Sequence, residues 1–182
     1  MKTLALAAVA LLLGAPNVDK PFAAGGSVSL ALSGGEYEVV PAADNHIRVT
    51  LSGNVGNTKS DVAITGQHAD VTVSNTPNHG NFHAKIEIPK NSDLKLRLTA
   101  GDLTVGAFTG NKDIDATAGD VKVAVGSAND YASVDASVRV GDLAAGPFGG
   151  KKEGFIGQSV KWTGKGKYTL RAHLGAGDLK LQ

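Results

Sequence analysis

A Gly-Asp pair followed by Leu or Val recurs at 101–102, 119–120, 141–142 and 177–178, and at each one the apolar alternation changes parity. Leu94, Leu96 and Leu98 hold even positions before Gly101-Asp102, and Leu103 and Val105 hold odd positions after it. The same flip separates Ile114, Ala116 and Ala118 from Val121, Val123 and Val125, across Gly119-Asp120. It recurs across Gly141-Asp142, from Val134, Ala136, Val138 and Val140 to Leu143, and across Gly177-Asp178, from Leu170, Ala172 and Leu174 to Leu179 and Leu181. A period of two marks a half-buried strand, and a one-residue shift turns every side chain to the opposite face. No straight strand can do that. Each Gly-Asp therefore reads as a corner, where glycine supplies the unusual backbone angles and aspartate can bond a nearby amide.

The intervals between corners are 18, 22 and 36 residues, the last twice the first. Gly157-Gln158-Ser159-Val160 falls in the long gap, where a diverged copy is expected. Ala69-Asp70-Val71-Thr72-Val73 reads as an earlier relative and Gly53-Asn54-Val55 as a weaker one. Short strands joined at regular corners predict an all-β, single-domain, β-solenoid-like stack of parallel levels about 4.8 Å apart. An antiparallel β-sandwich is the alternative for the first half, where the spacing is unequal. With aromatics at only 5% and 24 glycines in 182 residues, a thin interior of small residues is expected, including Ala116, Ala118, Ala136 and Ala172. Pro89 to Asp93 reads as an internal turn, and 146–152 as a surface loop suited to binding. Lys151, Lys152, Lys161, Lys165 and Lys167 also suit an end strand, where lysines guard an exposed sheet edge.

The stretch from Ile86 through Pro89 and Asp93 to Leu96, followed by Thr99-Ala100-Gly101-Asp102-Leu103-Thr104-Val105, resembles the bacterial adhesin-like domain of unknown function called the toastrack domain. The resemblance covers about residues 36–182. It implies a β-solenoid-like domain on exported or envelope proteins, acting in adhesion, envelope assembly or stress sensing, with no agreed catalytic residues.

Met1-Lys2-Thr3 and the apolar run 4–15 match the basic start and apolar region of a secretory leader, and the run is too short to span a bilayer. Residues 1–24 are expected to be a signal peptide cut somewhere in 15–24, leaving 25–182 as the domain. No later run has membrane length, so a periplasmic or extracellular protein without a membrane span is expected. The absence of cysteine excludes disulfides, a thiol nucleophile and a cysteine zinc site. A net charge of +1 gives no basic footprint for nucleic acid.

Asp102, Asp120, Asp142 and Asp178 could form a carboxylate ladder for a hard cation, but the calcium β-roll pattern is absent, so amide-bonded corners are expected and no metal. His79 and His83 flank Gly80-Asn81-Phe82 and read as a solvated loop; His46, His68 and His173 read as outward strand positions. Glu36, Glu38, Glu87 and Glu153 form no paired pattern, there is no Gly-x-Ser-x-Gly elbow, and the Gly25-Gly26 and Gly34-Gly35 pairs are not phosphate loops. No catalytic or cofactor-binding residue is assigned. Lys151, Lys152, Lys161, Trp162, Lys165 and Tyr168, with Lys167 nearby, form a basic-aromatic region that could hold an anionic polymer or stack a sugar. The expected role is non-catalytic surface recognition, adhesion or scaffolding, with an envelope protein or glycan as partner. A periplasmic partner of a stress sensor and a polysaccharide-acting enzyme are the alternatives.

Overall fold

A computed structural model describes residues 17–152 and 156–182, the side chains of 150–152 excepted. The chain opens with β1 (Val18–Pro21), β2 (Ser27–Leu32), β3 (Gly35–Ala42), β4 (His46–Gly53), β5 (Lys59–Thr65) and β6 (His68–Ser74). Then follow β7 (Phe82–Pro89), β8 (Asp93–Leu98), β9 (Gly101–Val105), β10 (Lys112–Ala118), β11 (Val121–Val123) and β12 (Tyr131–Val140). The last are β13 (Leu143–Ala145), β14 (Gly150–Lys152), β15 (Ile156–Thr163), β16 (Tyr168–Ala176) and β17 (Leu179–Leu181). The fold is all-β, in two sheets. The first runs β1-β4-β7-β3-β9-β11-β17-β13-β14 and the second β15-β12-β16-β10-β8-β2-β6-β5.

Pairs of consecutive strands, one in each sheet, form six units: β2/β3, β6/β7, β8/β9, β10/β11, β12/β13 and β16/β17. Every pairing between units is parallel. Among the described residues, antiparallel pairing occurs only at the two ends, where β4 and β5 close one side and β14 and β15 the other, with β1 outside β4. The order is interleaved. The last unit, β16/β17, lies between β10/β11 and β12/β13, and the sheet edges at that end are β14, which carries Lys151 and Lys152, and β15, which carries Lys161.

The parity flip has a direct cause at the corners. Gly35, Gly101, Gly119, Gly177 and Gly141 stack in that order, with φ between +118° and +148°. A Cβ on Gly101, Gly119, Gly177 or Gly141 would stand 1.8–2.0 Å from the carbonyl oxygen of the glycine beside it. Glycine is required twice over there, by its dihedral and by its neighbour. Gly35 begins the ladder beneath the Phe82 ring, which would lie 2.6 Å from a Cβ. This fifth corner, Gly35-Glu36-Tyr37, carries glutamate instead of aspartate and shows the same flip, from Val28, Leu30 and Leu32 to Tyr37 and Val39.

Three corner relatives are corrected. Ala69-Asp70-Val71 lies in the middle of β6, with Asp70 facing out. Gly53 ends β4. Gly157 lies inside β15, antiparallel to β12, so the long gap holds reversed strands instead of another corner. Residues 146–152 are also more tightly held than a surface loop: a 3-10 turn at Gly146–Phe148 leads into β14, and Phe148 is buried.

Inward side chains from both sheets meet in one continuous core that includes Leu30, Ile86, Leu96, Ile114 and Leu170. Each such side chain contributes about 1.5–3 kcal/mol by leaving water. Ala116, Ala136 and Ala172 are buried as expected, whereas Ala118 is half-buried and Val140 is 46% exposed, both beside a corner. Lys112 is buried where β10 begins. Its ammonium donates to Phe108 O at 2.7 Å, Gly110 O at 3.4 Å and Tyr131 Oη at 2.7 Å, and Tyr131 donates onward to Val125 O at 3.0 Å.

Candidate functional site

The corner aspartates share one exposed edge, and Glu36 stands level with Asp102 in the same row. Among the described residues, Asp178 alone bonds a neighbouring corner's amide through its side chain, accepting from Asp142 N at 3.3 Å. The corner bonds are otherwise made by the backbone, as where Leu103 N donates to Asp120 O at 2.8 Å and Val121 N to Asp178 O at 2.8 Å. Among the described residues, no group of three or more His, Asp or Glu is placed to hold a metal ion.

The basic-aromatic residues are distributed over different surfaces. Lys161 points outward from β15, its Nζ 3.8 Å from Asp135. Trp162, the next residue on that strand, points to the opposite face and packs 5.2 Å from the Phe148 ring, which in turn meets Tyr131 edge-on at 5.8 Å. Tyr168 is half-buried against the core, with Lys167 Nζ 5.6 Å from its ring centroid, and Lys165 is exposed in the turn before it. Lys151 and Lys152 lie on β14, and their side chains fall outside the described residues, as does Glu153.

The histidines show contacts that no local sequence pattern announces. His79 is exposed in the 75–81 loop, but His83 lies on β7, its Nδ1 3.5 Å from Ser52 Oγ, which corrects its loop assignment. His46, on β4, faces Asp19 with Nδ1 at 2.6 Å. His68 Nδ1 lies 2.8 Å from Ser27 Oγ, and its Nε2 lies 3.1 Å from Asp70 Oδ1. That is a Ser-His-Asp contact chain, but the His68 and Asp70 side chains are 42% and 62% exposed on an open strand face.

The outer face of the second sheet carries ordered rows of polar and charged side chains. Across β15, β12, β16, β10 and β8, Lys161, Asp135, Arg171, Asp113 and Lys95 form one row of alternating charge. The next row is Ser159, Ser137, His173, Asp115 and Arg97, in which Arg97 donates to Asp115 at 2.7 Å. Cross-strand pairs of this kind contribute about 0.2–1 kcal/mol each. In the row after that, Arg139 stands level with Gly157 on one side and Gly175 on the other.

Two flanking positions without side chains open a depression of ≈590 Å³ around that arginine, lined also by Ser137, Ser159, His173 and Thr117. Gly175 has no alternative, because a Cβ there would lie 2.4 Å from Thr117 O. Sequence reading passed over this site, since glycine in a strand says little until its cross-strand neighbour is known.

No family model matches the chain, and no curated protein matches it. Among solved structures it is similar to a "putative cell adhesion protein" from Clostridium sporogenes, at 14% identity and a TM-score of 0.56 over 92% of this chain and 100% of that one. A "putative adhesin" from Bacteroides fragilis aligns at 9% identity over 91% of this chain and 95% of that one, but with a TM-score of only 0.27. The first likeness is one of fold. No helix among the described residues is long and apolar enough to cross a membrane.

Proposed function

We propose that the chain is an exported, non-catalytic envelope protein with a β-solenoid-like body, and that it acts in surface recognition for adhesion or scaffolding. The observation that carries this reading is the outer face of the second sheet, where polar rows surround the ≈590 Å³ depression at Arg139. Outward residues there do little for the core, so their ordered chemistry is available to a partner. The fold shared with a protein named for cell adhesion supports the same reading. An export leader at the N-terminus and a periplasmic or extracellular location belong to this proposal.

The leader cut is proposed to fall ahead of Asn17. A cut after Ala24 would remove β1, which pairs with β4 through Val18 to Pro21, and the buried Phe22. It would also remove Asp19, whose carboxylate takes contacts from His46 and Arg48 at 2.6 and 3.2 Å.

The test is capture of solubilised envelope from the protein's own cells on immobilised residues 17–182, with protein and glycan both analysed. A saturable partner displaced by the free chain is expected. A profile identical to that of an unrelated all-β protein of the same charge contradicts the reading.

A further inference from the structure

We propose that the depression around Arg139 binds a carboxylate-bearing saccharide, of the uronic acid class. This inference rests on the recognition reading and names the ligand class for that surface.

Arg139 is exposed and forms no ion pair among the described residues, unlike Arg97, held by Asp115, and Arg48, held by Asp19 and Asp44. A guanidinium offers a planar fork that matches a carboxylate in two parallel bonds. Among the described residues, the approach to it is clear on both sides. Gly175 cannot carry a side chain, and at Gly157, with φ +70°, no heavy atom of the described residues lies within 4 Å of where a Cβ would stand. A flat ring can therefore lie on the backbone beside the charge.

The neighbouring row supplies the groups that hydroxyl-rich rings need. Ser137 Oγ lies 2.7 Å from His173 Nδ1, and when the serine donates to that nitrogen, Nε2 carries the hydrogen and is a donor. Ser159 and Thr117 add hydroxyls that both donate and accept. Asp115 also lines the depression, and its charge is engaged by Arg97 at 2.7 Å. A volume of ≈590 Å³ sits within the roughly 300–1,000 Å³ of small-ligand sites. The mixture of one unpaired cation, several hydroxyls and no deep apolar recess favours an acidic sugar over an apolar or a purely anionic ligand.

The test is a ¹H–¹⁵N NMR titration of residues 17–182 with tetragalacturonate, beside maltotetraose as the neutral saccharide and acetate at matched carboxylate concentration. Saturable shifts are expected from tetragalacturonate alone, centred on the amides of Ser137, Arg139, His173 and Gly175. Arg139→Gln is expected to weaken binding about tenfold or more, the usual worth of a hydrogen-bonded charge, with the spectrum otherwise unchanged. Arg139→Lys should not restore it, and Lys161→Gln, on the same face outside the depression, should leave it intact. Absence of saturable shifts, equal binding of maltotetraose or acetate, or equal loss in Lys161→Gln overturns the proposal. Envelope capture that survives Arg139→Gln unchanged removes this site while the recognition reading stands.

Discussion

The two long edges of the stack turn the chain between sheets in different ways. At the corner edge one solution is used four times, a glycine whose missing Cβ lets the carbonyl of the glycine beside it approach, with Gly35 starting the row under the Phe82 ring. At the return edge each connection is individual. The one before β10 wraps its carbonyls around the buried Lys112 ammonium, while Asn111 takes Thr169 N at 2.9 Å and holds Asp93 at 3.2 Å. A repeated corner can be economical because its geometry is set by stacking alone. A unique return needs its own polar network, and a buried charge is tolerated there only because every ammonium hydrogen has an acceptor.

This contrast predicts unequal costs for small changes. Gly119→Ala should be the most damaging, by about 3 kcal/mol or more, because it combines a strained φ with overlap on Gly101 O. Chemical denaturation measures it, and a loss below about 1 kcal/mol would remove the stacking argument.

Lys112→Met comes next, at about 2 kcal/mol at neutral pH, since it leaves Phe108 O, Gly110 O and Tyr131 Oη without their donor. Its pH dependence sharpens the point. Burial pushes the Lys112 pKa down from 10.5 to about 8, so between those values the unfolded chain binds more protons than the folded one. Stability should therefore rise with pH from about 8 toward 10.5, and the rise should vanish in Lys112→Met. Above pH 10 the buried Tyr131 opposes it: burial, reinforced by the Asp130 charge, lifts its pKa to about 12.

Gly146→Ala should cost nothing measurable. It is a turn glycine without positive φ, and no heavy atom of the described residues lies within 4 Å of its would-be Cβ. A cost comparable to that of Gly119→Ala would show that the corner cost does not come from the stacked carbonyl.

The same contrast explains what could be read from the residues. Parity flips located the corners at 101, 119, 141 and 177, because alternation records which face a side chain takes and the flip is local. Gly35-Glu36-Tyr37 carried the identical signal and escaped only through its glutamate. Ala69-Asp70-Val71 misled in the opposite way, having the residue types of a corner without a change of parity around it. Strand order was a different matter. The interval of 36 between Gly141 and Gly177 reflects β14 and β15 reversing at the end of the stack before β16 returns inside it, a choice made by long-range pairing. The depression at Arg139 was invisible for that reason: Gly157 and Gly175 flank it only once β15 and β16 are placed on either side of β12.

That interleaving is therefore the feature on which both the fold and the binding surface depend, and the cysteine-free chain allows it to be tested directly. In the parallel register Lys122 stands opposite Lys180, and Lys180 opposite Ala144. Lys122→Cys with Lys180→Cys should form a disulfide on mild oxidation of the folded protein, seen as a faster-migrating species that disappears on reduction. Lys122→Cys with Ala144→Cys should not, because β17 stands between them. Crosslinking of the second pair and not the first would place the units in simple sequential order and contradict the account.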